Sequence, residues 1–255
     1  MTMNLAGKHA LVTGGGTGIG AAIAFALAQT GATVTICGRR LEELEFTAER
    51  HNNIHAVVAD VTHEASVEQL YQRAQTARGK FGIVVANAGM VQSAPAEKVS
   101  HELWSNIVNV NLTGAFLSVR PALAGMREQK WGRIIFIAST AGLKGYAYVA
   151  PYVAAKHGVV GLSRALAVEM AKTGVTVNAV CPGFTETSLL DKAVDRIVTS
   201  ANLSEAETRK LLAANNPQGR FIQPHEVANV VLWLCGEESA VITGQAISVS
   251  GGETW

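Results

Sequence analysis

The residues that first suggest chemistry are a tyrosine and a lysine four positions apart, in Tyr152-Val153-Ala154-Ala155-Lys156. This spacing places both side chains on one face of a helix, and Pro151 just before them suits a helix's first turn. An ammonium about 4 Å from the phenol would favour the phenolate by roughly 4 kcal/mol, whereas burial opposes it. We therefore predict a tyrosine that exchanges a proton near physiological pH. Alone, the pair would more simply be a surface tyrosine and a solvated lysine.

A glycine-rich turn near the N-terminus has the arrangement of a phosphate-binding loop. A strand predicted over 8–13 ends at a run of glycines, and 21–29 has helix-forming composition. This order brings backbone N–H groups and a helix N-terminus to a phosphate, although a glycine-rich loop is often just a turn. The spacing is G-x-x-x-G-x-G and not the commoner G-x-G-x-x-G. The predicted binding residues are Gly14, Thr17, Gly18, Ile19 and Gly20.

The residues after the second predicted strand, 33–37, bear on the choice of cofactor. An acid there would hold the free 2′-hydroxyl of an adenine ribose, but the chain reads Gly38-Arg39-Arg40. A guanidinium suits a 2′-phosphate through its charge and forked hydrogen bonds. We therefore predict that NADP(H) is preferred over NAD(H). The alternative is that both arginines are solvated and begin a helix with Glu42 and Glu43.

Two further strand ends carry polar or small residues. The strand predicted over 54–59 ends at Asp60-Val61, and the strand over 82–86 ends at Asn87-Ala88-Gly89. We predict that Asp60 accepts a hydrogen bond from the adenine amino group, or else helps to start the next helix. The small residues would let a cofactor lie close over the strand end, but a polar turn fits them equally well.

An asparagine and a serine complete the candidate chemistry. A long helix is predicted from His101 to about Met126, disturbed at Pro121. Within it, Asn111 either adjusts the backbone locally to hold a water or ties its helix to a neighbour, because an unpartnered buried asparagine costs about 1–3 kcal/mol. Ser139 follows an apolar strand predicted over 132–138, where open α/β sheets bind ligands. Its hydroxyl is expected to reach a carbonyl shared with Tyr152, or to act as a cap.

Strands and helices alternate along all 255 residues without a linker or repeat. Further strands are predicted over 175–180 and 246–249, a helix over 224–235, and a substrate lid over about 184–216. The predicted fold class is α/β: a single-domain, Rossmann-like, doubly wound parallel sheet of seven strands with helices on both faces, covering 1–255.

Composition excludes several classes of function. The apolar fraction is 48%, the charged fraction 16% and the net charge +1, which suits a cytoplasmic enzyme and suggests neither nucleic acid nor an acidic membrane. Three widely spaced cysteines form no CxxC pair, so we expect neither disulfides nor a metal site. We also expect no signal peptide and no apolar run long enough to span a bilayer.

Taken together, these motifs resemble the short-chain dehydrogenase/reductase family over almost the whole chain. The family's T-G-x-x-x-G-x-G matches 13–20, its N-A-G 87–89, its Y-x-x-x-K 152–156 and its P-G motif Pro182-Gly183. The resemblance implies that Asn111, Ser139, Tyr152 and Lys156 are catalytic. It also places Tyr152, Lys156, Pro182, Gly183 and Thr187 at the cofactor. One departure is Thr17, which stands where NADP-preferring members often carry a basic residue.

The mechanism implied is hydride transfer between a nicotinamide and a carbonyl or alcohol carbon. Tyr152 would exchange the proton, and Lys156 would lower its pKa and hold the nicotinamide ribose. Ser139 would orient the carbonyl, and Asn111 would support a water-linked proton path. No metal is needed, because the proton donor replaces a Lewis acid.

A closer likeness, over 150–161, 175–184 and 219–224, is to ketoreductases of 3-oxoacyl thioesters, including those of aromatic polyketide synthesis. A 3-oxoacyl thioester, carried on CoA or an acyl carrier protein, is therefore the first predicted substrate. An apolar pocket is predicted from Tyr146, Tyr148, Phe184 and Leu189. Basic lid residues that could meet carrier phosphates, or form a solvated face, are Lys192, Arg196, Arg209 and Lys210.

Two other functions stay open. One is an NAD(P)-dependent dehydrogenase of an aromatic or alicyclic secondary alcohol, and the other is a cofactor-binding regulator without turnover. Retention of all four catalytic residues argues against the regulator. The resemblance also implies a homotetramer.

Overall fold

The computed structural model describes residues 3–201 and 203–255. Its strands form one seven-stranded parallel sheet in the order β3-β2-β1-β4-β5-β6-β7, so the predicted doubly wound parallel sheet is confirmed. The strands are β1 His9–Thr13, β2 Thr33–Gly38, β3 Ile54–Val58, β4 Ile83–Ala86, β5 Gly132–Ile137, β6 Val175–Pro182 and β7 Ala246–Val249.

Helices cover both faces of this sheet. They are α1 Gly18–Gln29, α2 Leu41–Ala48, α3 Glu64–Arg78, α4 His101–Val108, α5 Gly114–Gln129, α6 Ala150–Met170, α7 Ser188–Ala201, α8 Glu205–Ala213 and α9 Pro224–Cys235. On β1, Ala10 and Val12 belong to the core shared with α1 and α9, whereas Leu11 belongs to the core shared with α3, α5 and α6. Successive strand residues face opposite sides, which explains why these strands are apolar without alternation.

The strand order reverses beside β1, and this reversal positions the site. β1 pairs with β2 on one side and with β4 on the other. β3 lies outside β2, and β5, β6 and β7 follow outside β4. Parallel strands bring their carboxyl ends to one edge, where a crevice opens at the switch point. The turns after β1, β4, β5 and β6 are therefore neighbours.

The long predicted helix is interrupted at a different place from the one expected. A π-helical turn, Asn109–Thr113, separates α4 from α5 and contains Asn111, whereas Pro121 lies inside α5 without ending it. The extra residue of a π turn re-aims the side chains around it, and such turns are frequent at functional sites. The backbone adjustment at Asn111 is thus confirmed, and its hydrogen bonds to Met90 also tie the helix to a neighbouring segment. That Asn111 holds a water stays a prediction, and the disturbance predicted at Pro121 is wrong, because α5 continues through that residue.

The same run corrects the expectation about apolar length. Within the described residues, the segment His101–Gln129 is long and apolar enough to cross a membrane by length and composition. An 18-residue stretch of it has a mean hydropathy of 1.2, and 39% of that stretch is buried. Core helices pass the same test, and α5 packs against α3, α6, β4 and β5. This test alone does not identify a membrane segment.

The stretch predicted as a lid forms two helices with a small core of their own. α7 and α8 bury Leu190, Val194 and Leu212 together, and Phe184 and Phe221 pack against them. A separate core indicates that the two helices form one unit above the carboxyl edge of β6. Whether that unit opens and closes stays a prediction.

Candidate active site

The tyrosine and lysine lie on α6, next to the carboxyl end of β5. α6 begins at Ala150 with Pro151 in its first turn, as the sequence predicted. Ser139 follows β5, and its hydroxyl accepts the N–H of Ala141 at 3.1 Å. The same hydroxyl is a hydrogen-bond partner of Tyr152. The cap alternative for Ser139 is therefore confirmed, and its role in orienting a substrate carbonyl stays a prediction.

Burial dominates the electrostatics of the pair. Lys156 is 4% exposed, and its Nζ donates to the carbonyl of Ile137 at 2.8 Å and lies 5.6 Å from the centre of the Tyr152 ring. Burial lowers the pKa of Lys156 to about 8. Burial also raises the pKa of Tyr152, and the hydrogen bond with Ser139 opposes this rise. For the protein groups alone, the predicted lowering toward neutral pH is wrong, because burial raises the pKa of the phenol by more than the Ser139 hydrogen bond lowers it.

Asn111 is held behind Lys156 by three hydrogen bonds. Its Nδ2 donates to the carbonyls of Met90 at 2.8 Å and Ile107 at 2.9 Å, and its Oδ1 accepts the N–H of Met90 at 3.3 Å. A Cβ added at Gly89 would lie 2.9 Å from Asn111 Oδ1 and 3.7 Å from Lys156 Nζ. Gly89 therefore lies between the two predicted catalytic side chains and leaves room for small polar groups.

The glycine-rich turn is shaped by contacts that exclude side chains. Gly14 and Gly18 have positive φ angles of 64° and 54°, and a Cβ added at Gly20 would lie 2.2 Å from the carbonyl oxygen of Gly14. α1 begins at Gly18, earlier than predicted, and its N-cap Thr17 makes no capping hydrogen bond. Ile19 lies in the first turn of α1, and the uncapped backbone N–H groups of that turn have the arrangement that binds a pyrophosphate.

Thr13 supports this turn and was not among the predicted site residues. Its hydroxyl accepts the N–H groups of Asn87 and Ala88, both at 3.0 Å. The Asn87 amide donates to the carbonyls of Thr13 at 2.9 Å and Gly14 at 3.2 Å. These bonds fasten the β4 turn to the β1 turn. The sequence signals for this role were the position of Thr13 directly before the glycines and its place as the first residue of the family's T-G-x-x-x-G-x-G motif.

The two arginines after β2 have different surroundings. Arg40 pairs with Glu43 at 2.5 Å, whereas no salt bridge engages Arg39 within residues 3–201 and 203–255. Burial acts to raise the pKa of Asp60, but hydrogen bonds from Thr62 outweigh it, and the Arg39 charge adds to the lowering. Arg39 thus lies near the predicted adenine-binding Asp60, with its donors available for a ligand.

The remaining cofactor residues surround the end of β6 and the β3 turn. The N–H of Gly183, which follows Pro182, donates to Val249 at 3.0 Å. A Cβ added at Gly18 would lie 3.0 Å from the Thr187 methyl group. Val61 is 7% exposed. The glycine-rich turn and the base of the lid therefore touch.

The predicted substrate residues divide into engaged and exposed groups. The rings of Tyr146 and Phe184 meet edge to face at 6.2 Å, whereas Tyr148 is 66% and Leu189 40% exposed. Arg209 is engaged by three carboxylates at 2.5–3.0 Å: Glu186, Asp191 and Glu205. A phosphate-binding role for Arg209 is therefore not supported, since its guanidinium already joins the lid helices.

No group of His, Cys, Asp or Glu suited to a metal occurs in the described part of the chain.

Comparison with known proteins agrees with this geometry. The sequence model of the short chain dehydrogenase family matches residues 8–197. Ketoacyl reductase 1 of the granaticin polyketide synthase of Streptomyces violaceoruber is 40% identical over 95% of this chain and 92% of its own length. A 3-oxoacyl-(acyl-carrier-protein) reductase of Aquifex aeolicus is 38% identical over 99% of both chains.

Among solved structures, a variant of the actinorhodin polyketide ketoreductase with NADPH superposes with a TM-score of 0.94. It is 37% identical and covers 99% of both chains. Identity of this size over whole chains, together with the family match, fixes the assignment. The chain is an oxidoreductase and belongs to the short-chain dehydrogenase family.

Proposed function

We propose that this enzyme is an NADP(H)-dependent ketoreductase, with a 3-oxoacyl thioester as its substrate class. The observation that carries the proposal is the grouping of Ser139, Tyr152 and Lys156 at the carboxyl edge of the sheet, with Asn111 behind Lys156. When a carbonyl accepts hydride and a proton, a hydroxyl can hold its oxygen, a phenol can donate the proton, and a buried ammonium can stabilise the developing negative charge.

The chain's own groups favour the reductive direction. Because burial raises the pKa of Tyr152, its phenol stays protonated at neutral pH and is ready to give a proton to a forming alkoxide. Ser139, hydrogen-bonded to Tyr152, would hold the carbonyl oxygen. Lys156, with a pKa of about 8, is largely charged near pH 7 and supports that oxygen electrostatically.

The residues present fit a dinucleotide cofactor, which supplies the hydride when bound. The uncapped first turn of α1 and the close glycine contacts suit a pyrophosphate. Arg39 would hold the 2′-phosphate, and Asp60 and Val61 the adenine. The other proposed cofactor contacts are Gly14, Thr17, Gly18, Ile19, Gly20, Asn87, Ala88, Gly89, Tyr152, Lys156, Pro182, Gly183 and Thr187.

The substrate class is supported by the names of the relatives, which are ketoacyl and 3-oxoacyl-carrier reductases. Tyr146 and Phe184 form an aromatic wall on the substrate side. Lys192 and Lys210 are exposed on the lid and are the proposed contacts for CoA or carrier phosphates. Arg196, also exposed, donates to the carbonyl of Val91 at 3.5 Å, which leaves its other nitrogens for the same role.

A kinetic panel tests the proposal. Purified enzyme is assayed with 3-oxoacyl thioesters on CoA, on a carrier protein and on N-acetylcysteamine, with free ketones, and with secondary alcohols, each with NADP(H) and NAD(H). The proposal expects the highest kcat/KM for a 3-oxoacyl thioester with NADPH. A panel led by oxidation of an aromatic or alicyclic alcohol would replace it with the dehydrogenase function. Tight cofactor binding without any turnover would favour the regulator.

We also propose a homotetramer in the cytoplasm. Exposed apolar side chains on α6, on α9 and in the segments flanking β7 support an assembly: Val168, Trp233, Val241 and Trp255. Three free, buried cysteines suit a reducing compartment. Light scattering of the purified protein tests the assembly, since a monomeric mass would contradict it, and cell fractionation tests the location.

A further inference from the structure

A buried carboxylate near the C-terminus contacts the segment that follows the predicted catalytic Ser139. The Glu253 side chain is 2% exposed, and its Oε1 lies 3.0 Å from the Lys144 ammonium. The same oxygen accepts a hydrogen bond from the Tyr146 hydroxyl. Its Oε2, in contrast, has no hydrogen-bond partner in the described part of the chain. Such a carboxylate costs stability, so its presence points to a role beyond folding.

Tyr146 connects this carboxylate with the catalytic group. Its hydroxyl lies 2.7 Å from the Thr140 hydroxyl, and its ring meets Phe184 at the base of the lid. Burial and the hydrogen bond to Glu253 raise the pKa of Tyr146, and the nearby Tyr152 phenol adds to the rise. Tyr146 therefore links Glu253 to the Thr140 hydroxyl, with its own hydroxyl fixed from two sides, and it lies close enough to Tyr152 for the two phenols to interact electrostatically.

The space for Glu253 depends on the segment at the proposed nicotinamide contact. A Cβ added at Gly183 would lie 3.1 Å from Glu253 Oε2. The hydroxyl of the next residue, Thr254, lies 2.7 Å from the hydroxyl of Ser248 on β7. The C-terminal turn thus sends one side chain into the site and the following one back to β7.

We propose that Glu253 is a positioning residue for the carbonyl substrate. By holding Tyr146 and Lys144 in fixed places, it sets the shape of the pocket wall beside Tyr152 and so governs which ketones bind. It acts through Tyr146 and does not touch the reacting atoms. The inference rests on the proposed function, because it presumes that a ketone lies beside Tyr152.

The test compares Glu253→Ala, Glu253→Gln and Tyr146→Phe with the double variant Glu253→Ala/Tyr146→Phe. Thr254→Ala is the matched control on the same turn. The probes are the N-acetylcysteamine thioester of acetoacetate and the bicyclic ketone 1-decalone, each with NADPH. Substrate KM, kcat and the KM for NADPH are measured separately, and melting curves verify that every variant is folded.

Glu253→Ala is expected to raise the ketone KM by about tenfold, with kcat within about threefold and the NADPH KM within about twofold. Glu253→Gln should stay within about threefold of wild type, because one amide oxygen accepts both existing hydrogen bonds. In the Tyr146→Phe background, Glu253→Ala should add less than about twofold. Thr254→Ala should behave like wild type.

Several results would overturn the inference while leaving the proposed function intact. These are an unchanged ketone KM in Glu253→Ala, an equal rise in the NADPH KM, the same shift in Thr254→Ala, or an undiminished effect in the Tyr146→Phe background. In contrast, absence of wild-type turnover with every ketone, thioester and alcohol of the panel would refute the proposed function, and the inference with it.

Discussion

Arg39 and Arg40 are adjacent but have different partners, so substituting each in turn tests which of them selects NADPH over NADH. Arg40 is paired with Glu43, and its side chain is 65% exposed, whereas Arg39 lies near Asp60. If Arg39 alone receives the 2′-phosphate, Arg39→Ala should weaken selection of NADPH, and Arg40→Ala should change it little. The two variants remove the same charge from neighbouring positions, so each is the control for the other.

The expected size follows from the hydrogen bonds that the substitution removes from the 2′-phosphate. Charge-assisted hydrogen bonds contribute about 1.5–3 kcal/mol, and about 1.4 kcal/mol corresponds to tenfold. Arg39→Ala should therefore lower kcat/KM for NADPH between about 10-fold and about 150-fold, while kcat/KM for NADH stays within about threefold. Arg40→Ala should lose less than about fivefold for NADPH, since exposed pairs contribute about 0–1 kcal/mol.

The assay is initial-rate kinetics with both cofactors at low and high ionic strength. Added salt should lower the NADPH preference of the wild type more than it lowers the NADPH preference of Arg39→Ala. The reason is that salt screens the exposed charge pair between Arg39 and the 2′-phosphate, which the variant lacks. The reasoning is refuted if wild-type kcat/KM is equal for NADH and NADPH, or if Arg40→Ala loses as much as Arg39→Ala.

Further predictions concern stability and the cofactor cradle. Burial lowers the pKa of His9 to about 4, so the neutral imidazole contributes fully to the stability of the fold above about pH 6.5, and this contribution is lost as the pH falls toward 4. The free energy of unfolding should therefore be about 2 kcal/mol smaller at about pH 5 than at pH 7. Urea titrations of His9→Val should show a free energy of unfolding that depends less on pH than that of the wild type. Gly20→Ala, whose Cβ would lie 2.2 Å from the Gly14 carbonyl, should abolish NADPH binding measured by fluorescence; binding within about threefold of wild type would contradict the geometry. Asn111→Ala should lower the melting temperature, since three hydrogen bonds to Met90 and Ile107 disappear; an unchanged calorimetric transition would count against that tie.

Much of the fold followed from local patterns. The β5 segment is apolar without alternation because both of its faces are buried, and the structure confirms the strand. Pro151 correctly predicted the start of α6. The glycine-rich turn was recognised between its strand and helix, although α1 begins as early as Gly18. These features depend on neighbouring residues, which a sequence displays directly.

The errors concern effects of tertiary packing. Burial governs the Tyr152 pKa, and no spacing of residues gives the depth of a phenol. The helix is interrupted by a π turn at Asn111 and continues through Pro121, and the Asn111 amide donates to the carbonyl of Met90, 21 positions earlier in the chain. The hydrogen bond between Tyr146 and Glu253 joins residues 107 positions apart. No local pattern indicates such a pair.

The central claim is that Tyr152 donates the proton while hydride reaches the same carbonyl. Tyr152→Phe removes one oxygen and keeps the ring, so it tests this claim most directly. The account predicts a fall in kcat of about 10²- to 10⁴-fold for the 3-oxoacyl thioester, with NADPH affinity by fluorescence titration within about threefold of wild type. A variant that binds NADPH normally and retains more than about a tenth of wild-type kcat would contradict it.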